Sequence, residues 1–352
     1  MADLSHDFHV KTADWRQSLR SNQRRTFWVI VTFMVIYVAL GFLIDLFINS
    51  EKYPQVSLGA ISQALVTLQL IPYATLITTL VALISLWVTF ACSDKLMLLG
   101  TEYHEITAQN AQNLAEKQLY NTVEEMKVAA GLKFMPRVYI IEADYMNAFA
   151  SGYSEKSAMV AITRGLLEKL DRAEIQAVMA HELSHIRHLD IKLTLTASVL
   201  ANLTLIVIDI FFYGMLFSGG RRSRDREGGG NWLFIVIVLL RYLLPLITVL
   251  LMLFLSRTRE YMADAGAVQL MRDNDPLARA LLKIQGDYDQ NQQRYAQEYS
   301  QTPHEQVRRE AYIFDPTVAG INAKQASSDF FSTHPNIIKR LAAIGYKISN
   351  SR

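Results

Sequence analysis

Four long hydrophobic runs alternate with polar sequence along the chain. They lie at residues 27–48, 71–92, 193–217 and 232–255. Each contains about 22 to 25 residues, and a helix of that length rises far enough to cross a hydrocarbon core of about 30 Å. The pattern therefore predicts an α-helical membrane protein with about four hydrophobic membrane segments.

The polar sequence between the second and third runs predicts a small α+β region. Residues 105–130 are rich in helix formers and end at Gly131. Three short apolar or β-branched runs bounded by turn residues then predict strands at 137–142, 146–151 and 157–163. Asp171 with Glu174 three positions later has the spacing of a capping box, so a helix is predicted from about Arg172.

The sequence after the fourth run predicts two further helices and a linker. A helix is expected over 256–286, a polar Gln-rich linker over 287–330 and a short helix from about Asn336. The linker could also serve as a lid.

Lysine and arginine near the runs predict the orientation of the chain in the membrane. Five basic residues precede the first run, whereas only Lys52 lies between the first two runs. Because cytoplasmic flanks carry the excess of basic residues, the N-terminus and residues 93–192 are predicted to be cytoplasmic. The first run follows about 26 polar residues and is predicted to be a signal anchor rather than a cleaved signal peptide.

The loop between the third and fourth runs has the opposite bias. It carries four arginines against two acidic residues, although parity places it outside the cytoplasm. Either these runs form a hairpin that does not fully cross, or the earlier spans override the local charge.

Composition excludes several kinds of function. A net charge of +2 over 352 residues gives no basic footprint for nucleic acid. A single cysteine, Cys92, excludes an intramolecular disulfide and a cysteine zinc cage. The low cysteine content fits a polar region that faces a reducing compartment.

The predicted helix from Arg172 carries the motif His-Glu-Leu-Ser-His at residues 181–185. Because residues i and i+4 share a helical face, His181 and His185 can reach one zinc ion, and Glu182 then faces a water molecule on that ion. His188 lies seven residues from His181, about 10.5 Å along the same helix, which is too far for a shared ion.

A third ligand is expected after the fourth run, in the sequence SRTREYMADAGAV. Glu260 and Asp264 are four residues apart and share a helical face. One carboxylate can bind the metal while the other accepts the N–H of a metal-bound histidine.

Four motifs together resemble the HtpX-type membrane zinc metalloproteases, relatives of the CaaX-processing prenyl-protease group. They are HELSH, REYMADAGA, MNAFASG before the active helix, and FSTHPNIIKRL near the end. The similarity extends from about residue 25 to 345, and the hydrophobic layout agrees with it. It implies a mainly α (α+β) zincin-like metalloprotease domain in a membrane protein.

The resemblance also implies roles for individual residues. His181, His185 and Glu260 would bind one Zn²⁺ per chain, Glu182 would be the general base, and Asp264 would be a hydrogen-bond partner behind the metal ligands. Asn147, Ala148 and Phe149 would form part of a substrate-binding edge strand. His334 would donate a hydrogen bond to the developing oxyanion, and Arg340 would be a local structural partner. The chain departs from the family at Asn336, where many relatives have a second proline, and this leaves the local turn in doubt.

The hydrophobic runs, the basic residues near them and the resemblance together give five segments and a function. Residues 1–26 are a cytoplasmic segment, 27–92 two transmembrane helices, 93–192 the first part of the protease domain, 193–255 a hydrophobic hairpin and 256–352 the second part. The expected protein is a multi-pass enzyme of the bacterial inner membrane with its catalytic domain in the cytoplasm. It would hydrolyse polypeptides, above all misfolded or damaged membrane proteins, by pairing them with an exposed strand around residues 147–151.

Three other functions remain open on the sequence alone. A catalytically silent membrane protein could use the same ligands for a structural or sensing zinc site. A transporter could use the charged residues within the runs, Asp45, Asp209 and Arg241. An intramembrane protease is less well supported, because HELSH precedes the apolar run that follows it.

Overall fold

The computed structural model describes residues 15–91, 97–218, 230–301, 312–314 and 335–347. Its helices are α1 Trp15–Lys52, α2 Leu58–Val66, α3 Tyr73–Ala91, α4 Leu114–Ala130, α5 Arg164–Lys169, α6 Arg172–His188, α7 Asp190–Ser218, α8 Gly230–Met271, α9 Asp275–Gln301 and α10 Ile337–Ala343. Its strands are β1 Tyr103–Ile106, β2 Arg137–Ile141, β3 Ala148–Ser151 and β4 Met159–Thr163. The chain forms two compact units: the apolar unit comprises residues 24–91 and 195–252, and the polar unit comprises the remaining described residues.

The sheet of the polar unit has the strand order β1-β2-β4-β3. Strands β2 and β4 are parallel, and the two outer strands pair antiparallel with them. The three strands predicted from the sequence are confirmed with slightly shorter bounds. The predicted helix over 105–130 is wrong at its start: residues 103–106 form β1, and α4 begins at Leu114.

Local hydrogen bonds explain the late start of α4. The backbone N–H of Thr107 donates to the Asn110 side chain over 2.7 Å, which turns the chain after β1. Asn113 then caps the helix, because its side chain accepts from the backbone N–H of Glu116 at 2.9 Å. These short polar side chains separate the strand from the helix.

Helix α6 is capped as the sequence predicts. Asp171 accepts from the backbone N–H of Glu174, and the Glu174 carboxylate accepts from the backbone N–H of Asp171, each at 2.9 Å. The helix is largely buried and packs between α4, α9 and strand β3. It ends at His188, and the next residue, Leu189, has the left-handed angle φ 54°. The chain therefore turns before α7 begins at Asp190, and the two helices are not one continuous helix.

The predicted helix over 256–286 is interrupted. Helix α8 ends at Met271, and Arg272 has φ 57°. Helix α9 then continues to Gln301 with a kink at Asn291, so the first part of the predicted linker is helical. The rest of that linker, apart from residues 312–314, lies outside the described residues.

The apolar unit is held by a few polar contacts inside its helices. The buried carboxylate of Asp45 on α1 accepts from the backbone N–H groups of Ala74 and Thr75 at the start of α3, each at 2.9 Å. On α7 and α8, Arg241 Nε donates to Asp209 at 2.7 Å. The helix N-terminus thus offsets the buried charge of Asp45, and Asp209 and Arg241 form an ion pair with each other, so all three charged residues have structural partners.

Two helical stretches are long and apolar enough to cross a bilayer within the described residues, Arg24–Lys52 and Tyr73–Ala91. This is fewer than the four predicted. A shorter apolar stretch among the described residues, Val199–Gly214, lies in α7.

Candidate metal centre

The polar unit brings together two histidines and a glutamate from two helices. His181 and His185 lie one turn apart on α6, and Glu260 lies on α8. The two Nε2 atoms are 3.2 Å apart. The Glu260 carboxylate lies 3.7 Å from Nε2 of His181 and 3.6 Å from Nε2 of His185. All three side chains are buried.

These separations fit a tetrahedral zinc ion. Bonds of about 2.0 to 2.1 Å at tetrahedral angles place ligand atoms about 3.3 Å apart. The observed separations of 3.2 to 3.7 Å are near this value, although the two distances to Glu260 involve different carboxylate oxygens. One ligand atom from each of the three residues lies within 4.8 Å of the other two. Two histidines and one carboxylate are a donor set of catalytic zinc, because the fourth position stays open for water or substrate.

Each histidine has a carboxylate behind it. Nδ1 of His181 lies 3.0 Å from Asp264 on α8, and Nδ1 of His185 lies 3.3 Å from Asp190 at the start of α7. A hydrogen bond from Nδ1 leaves Nε2 as the ligand atom and fixes the plane of the ring. Both rings are therefore oriented towards the shared point.

Asp264 is itself held by Arg340 from α10. The guanidinium of Arg340 donates to both oxygens of Asp264 at 2.8 and 2.7 Å, and all these groups are buried. Burial raises the pKa of Asp264, but Arg340 and His181 outweigh it, so this pKa lies well below its ordinary value. Burial lowers the pKa of Arg340, but Asp264 and the nearby glutamates outweigh it and raise this pKa. Asp264 and Arg340 thus form a charged pair inside the protein.

Glu182 lies beside the cluster and has few polar contacts. Its carboxylate is 1% exposed, and within the described part of the chain neither oxygen has a well-formed hydrogen bond. Burial raises the pKa of Glu182 to about 8, Glu260 adds to the rise, and His185 and the backbone of Ala150 oppose it. A buried carboxylate with unsatisfied oxygens has capacity for a water molecule or a metal-bound group.

Gly266 allows α8 to approach α6 at this level. A Cβ atom at Gly266 would lie 2.5 Å from Oγ of Ser184, which is closer than side-chain atoms pack. Ser184 stands between Glu182 and His185, and Gly266 follows Asp264 on α8. The small residue therefore sets the distance between the two helices that carry the ligands.

The predicted substrate strand is buried rather than exposed. Phe149 forms a bridge with Tyr312, and the backbone N–H of Ile313 donates to the carbonyl of Ala148 at 2.9 Å. The Asn147 side chain donates to the carbonyl of Phe314 at 3.0 Å. Residues 312–314, the inner segment, therefore pair with the edge of β3 that the sequence assigned to substrate.

The inner segment also contacts the metal centre through one side chain. Nη1 of Arg340 donates to the carbonyl of Ile313 at 2.7 Å and lies 3.6 Å from Glu260. The side chains of the segment join a buried aromatic cluster with Phe149, Tyr145 and Tyr288. The side chains of the segment are thus packed in the core, while its backbone is linked to the metal ligands through Arg340.

The remaining predictions have different outcomes. His334 lies outside the described residues, so its role stays a prediction. His188 is buried on α6 and is not part of the metal cluster. Asn336 caps α10, because its side chain accepts from the backbone N–H of Ile338 at 2.9 Å. An asparagine is a favourable cap, which accounts for the turn at the position where the family motif has proline.

Two features of the site were missed from the sequence. Asp190 gave no periodic signal, because a residue five positions after His185 lies on another face of an unbroken helix. The inner segment pairs with a strand more than 160 residues away, which no local pattern records. The apolar triplet YIF within a polar stretch was the one available signal for it.

Comparisons with known proteins identify relatives of this chain. The family model described as Peptidase family M48 matches residues 113–348. A protein named "Protease HtpX homolog" from Helicobacter pylori (strain Shi470) is 38% identical over 336 residues, which cover 95% of this chain and 99% of that relative. A second protein of that name, from Listeria monocytogenes serotype 4a, is 32% identical over 334 residues, covering 92% of this chain and 97% of the relative.

A solved structure is also similar, the crystal structure of S. mikatae Ste24p. It is 16% identical with a TM-score of 0.41, and the match covers 94% of this chain and 67% of that one. The family model spans more than half of the chain, and the sequence relatives are matched over nearly their whole length. The chain therefore belongs to peptidase family M48 and is a membrane metalloprotease.

Proposed function

We propose that this chain is a zinc-dependent endopeptidase that cleaves membrane proteins, above all misfolded or damaged ones, at the cytoplasmic surface of the bacterial inner membrane. The observation that carries the proposal is the convergence of His181, His185 and Glu260 beside the buried carboxylate of Glu182. One zinc ion per chain is the cofactor that fits their spacing.

The proposed chemistry assigns a separate task to each side chain. When bound, zinc supplies Lewis acidity, which polarises a peptide carbonyl and acidifies a water molecule. Glu182 accepts the proton of the attacking water and passes it to the leaving amine. Asp264 and Asp190 hold the two histidine rings in place, and the buried surroundings strengthen each electrostatic interaction. His334 remains the proposed donor to the developing oxyanion.

We expect removal of zinc to abolish activity without unfolding the protein. The full-length chain is purified in detergent, treated with a zinc chelator and assayed on an unfolded polypeptide such as casein. Cleavage should fall to background and return with about one equivalent of zinc per chain. Full activity in protein shown by metal analysis to lack zinc would overturn the proposal.

The proposed substrate takes over the bonds that the inner segment makes with β3. An extended peptide beside β3 needs the carbonyl of Ala148 and the side chain of Asn147, and residues 312–314 now use both. Backbone pairing reads little sequence, so we expect loose specificity. A single cleavage site in a peptide-library digest would contradict this.

Weakening the inner segment should therefore favour substrate binding. Ile313→Pro removes the N–H that donates to Ala148 but leaves the Ile313 carbonyl in place. One hydrogen bond is worth about 1 kcal/mol, so KM for the unfolded polypeptide should fall about fivefold. Ile313→Val keeps the N–H and should leave KM unchanged. A higher KM in the proline variant would mean that the segment helps to bind substrate.

The membrane placement rests on the apolar helices and on the pairing of charges within them. We propose that α7 and α8 also enter the bilayer, giving four membrane segments in all. The ion pair between Arg241 and Asp209 supports this, because paired charges cost less in hydrocarbon than single ones. The basic residues before Phe27 favour a cytoplasmic N-terminus. Accessibility labelling of single cysteines placed at residues 219–229, between α7 and α8, tests whether these two helices enter the bilayer.

The same contacts weigh against a transporter. Asp45 caps α3, and Asp209 pairs with Arg241, so these three charges have structural partners. The activity of a Glu182→Gln variant distinguishes a protease from a catalytically silent zinc-binding protein.

A further inference from the structure

Asp190 connects the end of the HELSH helix with the helix that carries Glu260. Its carboxylate lies 3.3 Å from Nδ1 of His185, and its side chain is fully buried. The guanidinium of Arg259 donates to the backbone carbonyl of Asp190 at 3.3 Å. Arg259 directly precedes Glu260 in the sequence. Asp190 therefore contacts the metal ligand His185 through its side chain and the neighbour of the metal ligand Glu260 through its backbone.

The local backbone is what brings Asp190 to His185. On an unbroken helix, residues five positions apart point about 140° away from each other. Leu189 interrupts the helix with φ 54° and ψ 33°, and α7 starts at the next residue. A left-handed leucine costs about 1 to 2 kcal/mol, because its Cβ crowds the following carbonyl. The left-handed turn is therefore destabilising by itself, and it brings the Asp190 carboxylate into contact with His185.

Each metal-facing histidine thus has its own carboxylate, supplied from a different place. Asp264 serves His181 from within α8, where it is held by Arg340. Asp190 serves His185 from the start of α7, where its backbone is held by Arg259. The two Nε2 atoms can converge on one ion because both Nδ1 atoms are engaged on the opposite side of the rings.

We propose that Asp190 is a positioning residue of the metal centre. It fixes the Nδ1–H tautomer and the ring plane of His185, so that Nε2 points towards the shared site. This inference rests on the proposed zinc site and extends it by a residue outside the family motifs quoted above. The role is exerted through His185, and Asp190 itself touches neither metal nor substrate.

The test measures zinc affinity rather than proteolysis. The full-length protein and its variants are stripped of zinc and titrated with zinc against a chelator of known affinity. Loss of an outer hydrogen-bond partner typically weakens metal binding about 10- to 100-fold, and we expect this for Asp190→Ala. Asp190→Asn keeps an oxygen that can accept the N–H but loses the charge, so its affinity should fall only about fivefold.

A matched control distinguishes the loss of a positioning residue from the mere replacement of an aspartate at the start of a helix. Asp275 is the first residue of α9, is half-buried and forms an ion pair with Arg279. Asp275→Ala should leave zinc affinity unchanged. Cobalt substitution adds a spectroscopic measure: the absorption bands of the Asp190→Ala protein should shift from those of the wild type, because the His185 ring is no longer held.

The outcomes are distinct. Unchanged zinc affinity in both Asp190 variants would overturn the inference and leave the proposed function standing. An Asp190→Ala protein with a lower melting temperature without metal, but with wild-type affinity, would also overturn it, because only a structural role would remain. Failure of the wild-type protein to bind zinc would overturn the inference and the proposed function together.

Discussion

The Glu182→Gln variant should retain its zinc and lose about 10²- to 10⁴-fold in the rate of peptide hydrolysis. Glutamine has the size and shape of glutamate but cannot take a proton from water at neutral pH. The three proposed ligands, His181, His185 and Glu260, are unchanged in this variant. The expected loss therefore lies in kcat, with zinc content and KM close to those of the wild type.

A buried carboxylate elsewhere in the same unit provides the control. Glu116 on α4 is buried and accepts from the backbone N–H of Gln112 and from the Asn113 side chain. Glu116→Gln changes the same chemical group without touching the metal centre, and it should keep full activity. Both variants are compared for zinc content, melting temperature and casein cleavage. An active Glu182→Gln protein would leave a silent metal site as the better description.

The replacement of one carboxylate oxygen of Glu182 with an amide nitrogen should also affect the stability of the metal-free protein. Glu182 is buried with no well-formed hydrogen bond among the described residues, and burial raises its pKa to about 8. At neutral pH this carboxyl is ionised in the unfolded chain, whereas the buried site favours its protonated form, so folding carries the cost of protonating it. A neutral amide avoids that cost, and Glu182→Gln should therefore be at least as stable as the wild type without metal. A gain in stability together with a loss of activity is typical of a residue kept for chemistry.

The metal ligands could be predicted from the sequence because a helix converts spacing into geometry. The interval of four residues between His181 and His185 places both rings on one face, whatever the rest of the fold does. Glu260 and Asp264 follow the same rule on α8. The structure adds that Gly266 allows the two helices to approach closely, which the residue types alone do not reveal.

The parts that could not be predicted depend on backbone breaks and on distant pairing. The contact between Asp190 and His185 requires a left-handed leucine, and nothing in the sequence around Leu189 signals it. The inner segment covers β3 through bonds to Ala148 and Asn147 that close a loop of more than 160 residues. Strand β1 is short and follows a polar pattern that suits a helix equally well. Each depends on tertiary contacts rather than on local propensity.

Arg340→Met should destabilise the protein by about 3 to 5 kcal/mol, because it leaves the carboxylate of Asp264 buried without its charged partner. Arg340 is 1% exposed and donates two hydrogen bonds to Asp264 and one to the carbonyl of Ile313. Methionine fills a similar volume but supplies none of these donors. The free energy of unfolding of the metal-free protein in detergent measures the loss.

Two comparisons show whether the loss comes from the buried charge. Arg172 is largely exposed and pairs with Glu125 at 2.8 Å, so Arg172→Met should cost no more than about 1 kcal/mol. The double variant Arg340→Met with Asp264→Asn removes both charges and should be more stable than the Arg340→Met single variant. The same double variant should bind zinc more weakly, because the amide introduced at position 264 holds the His181 ring less firmly than a carboxylate does. A single variant as stable as the wild type would mean that Arg340 does not hold Asp264 and the inner segment in place.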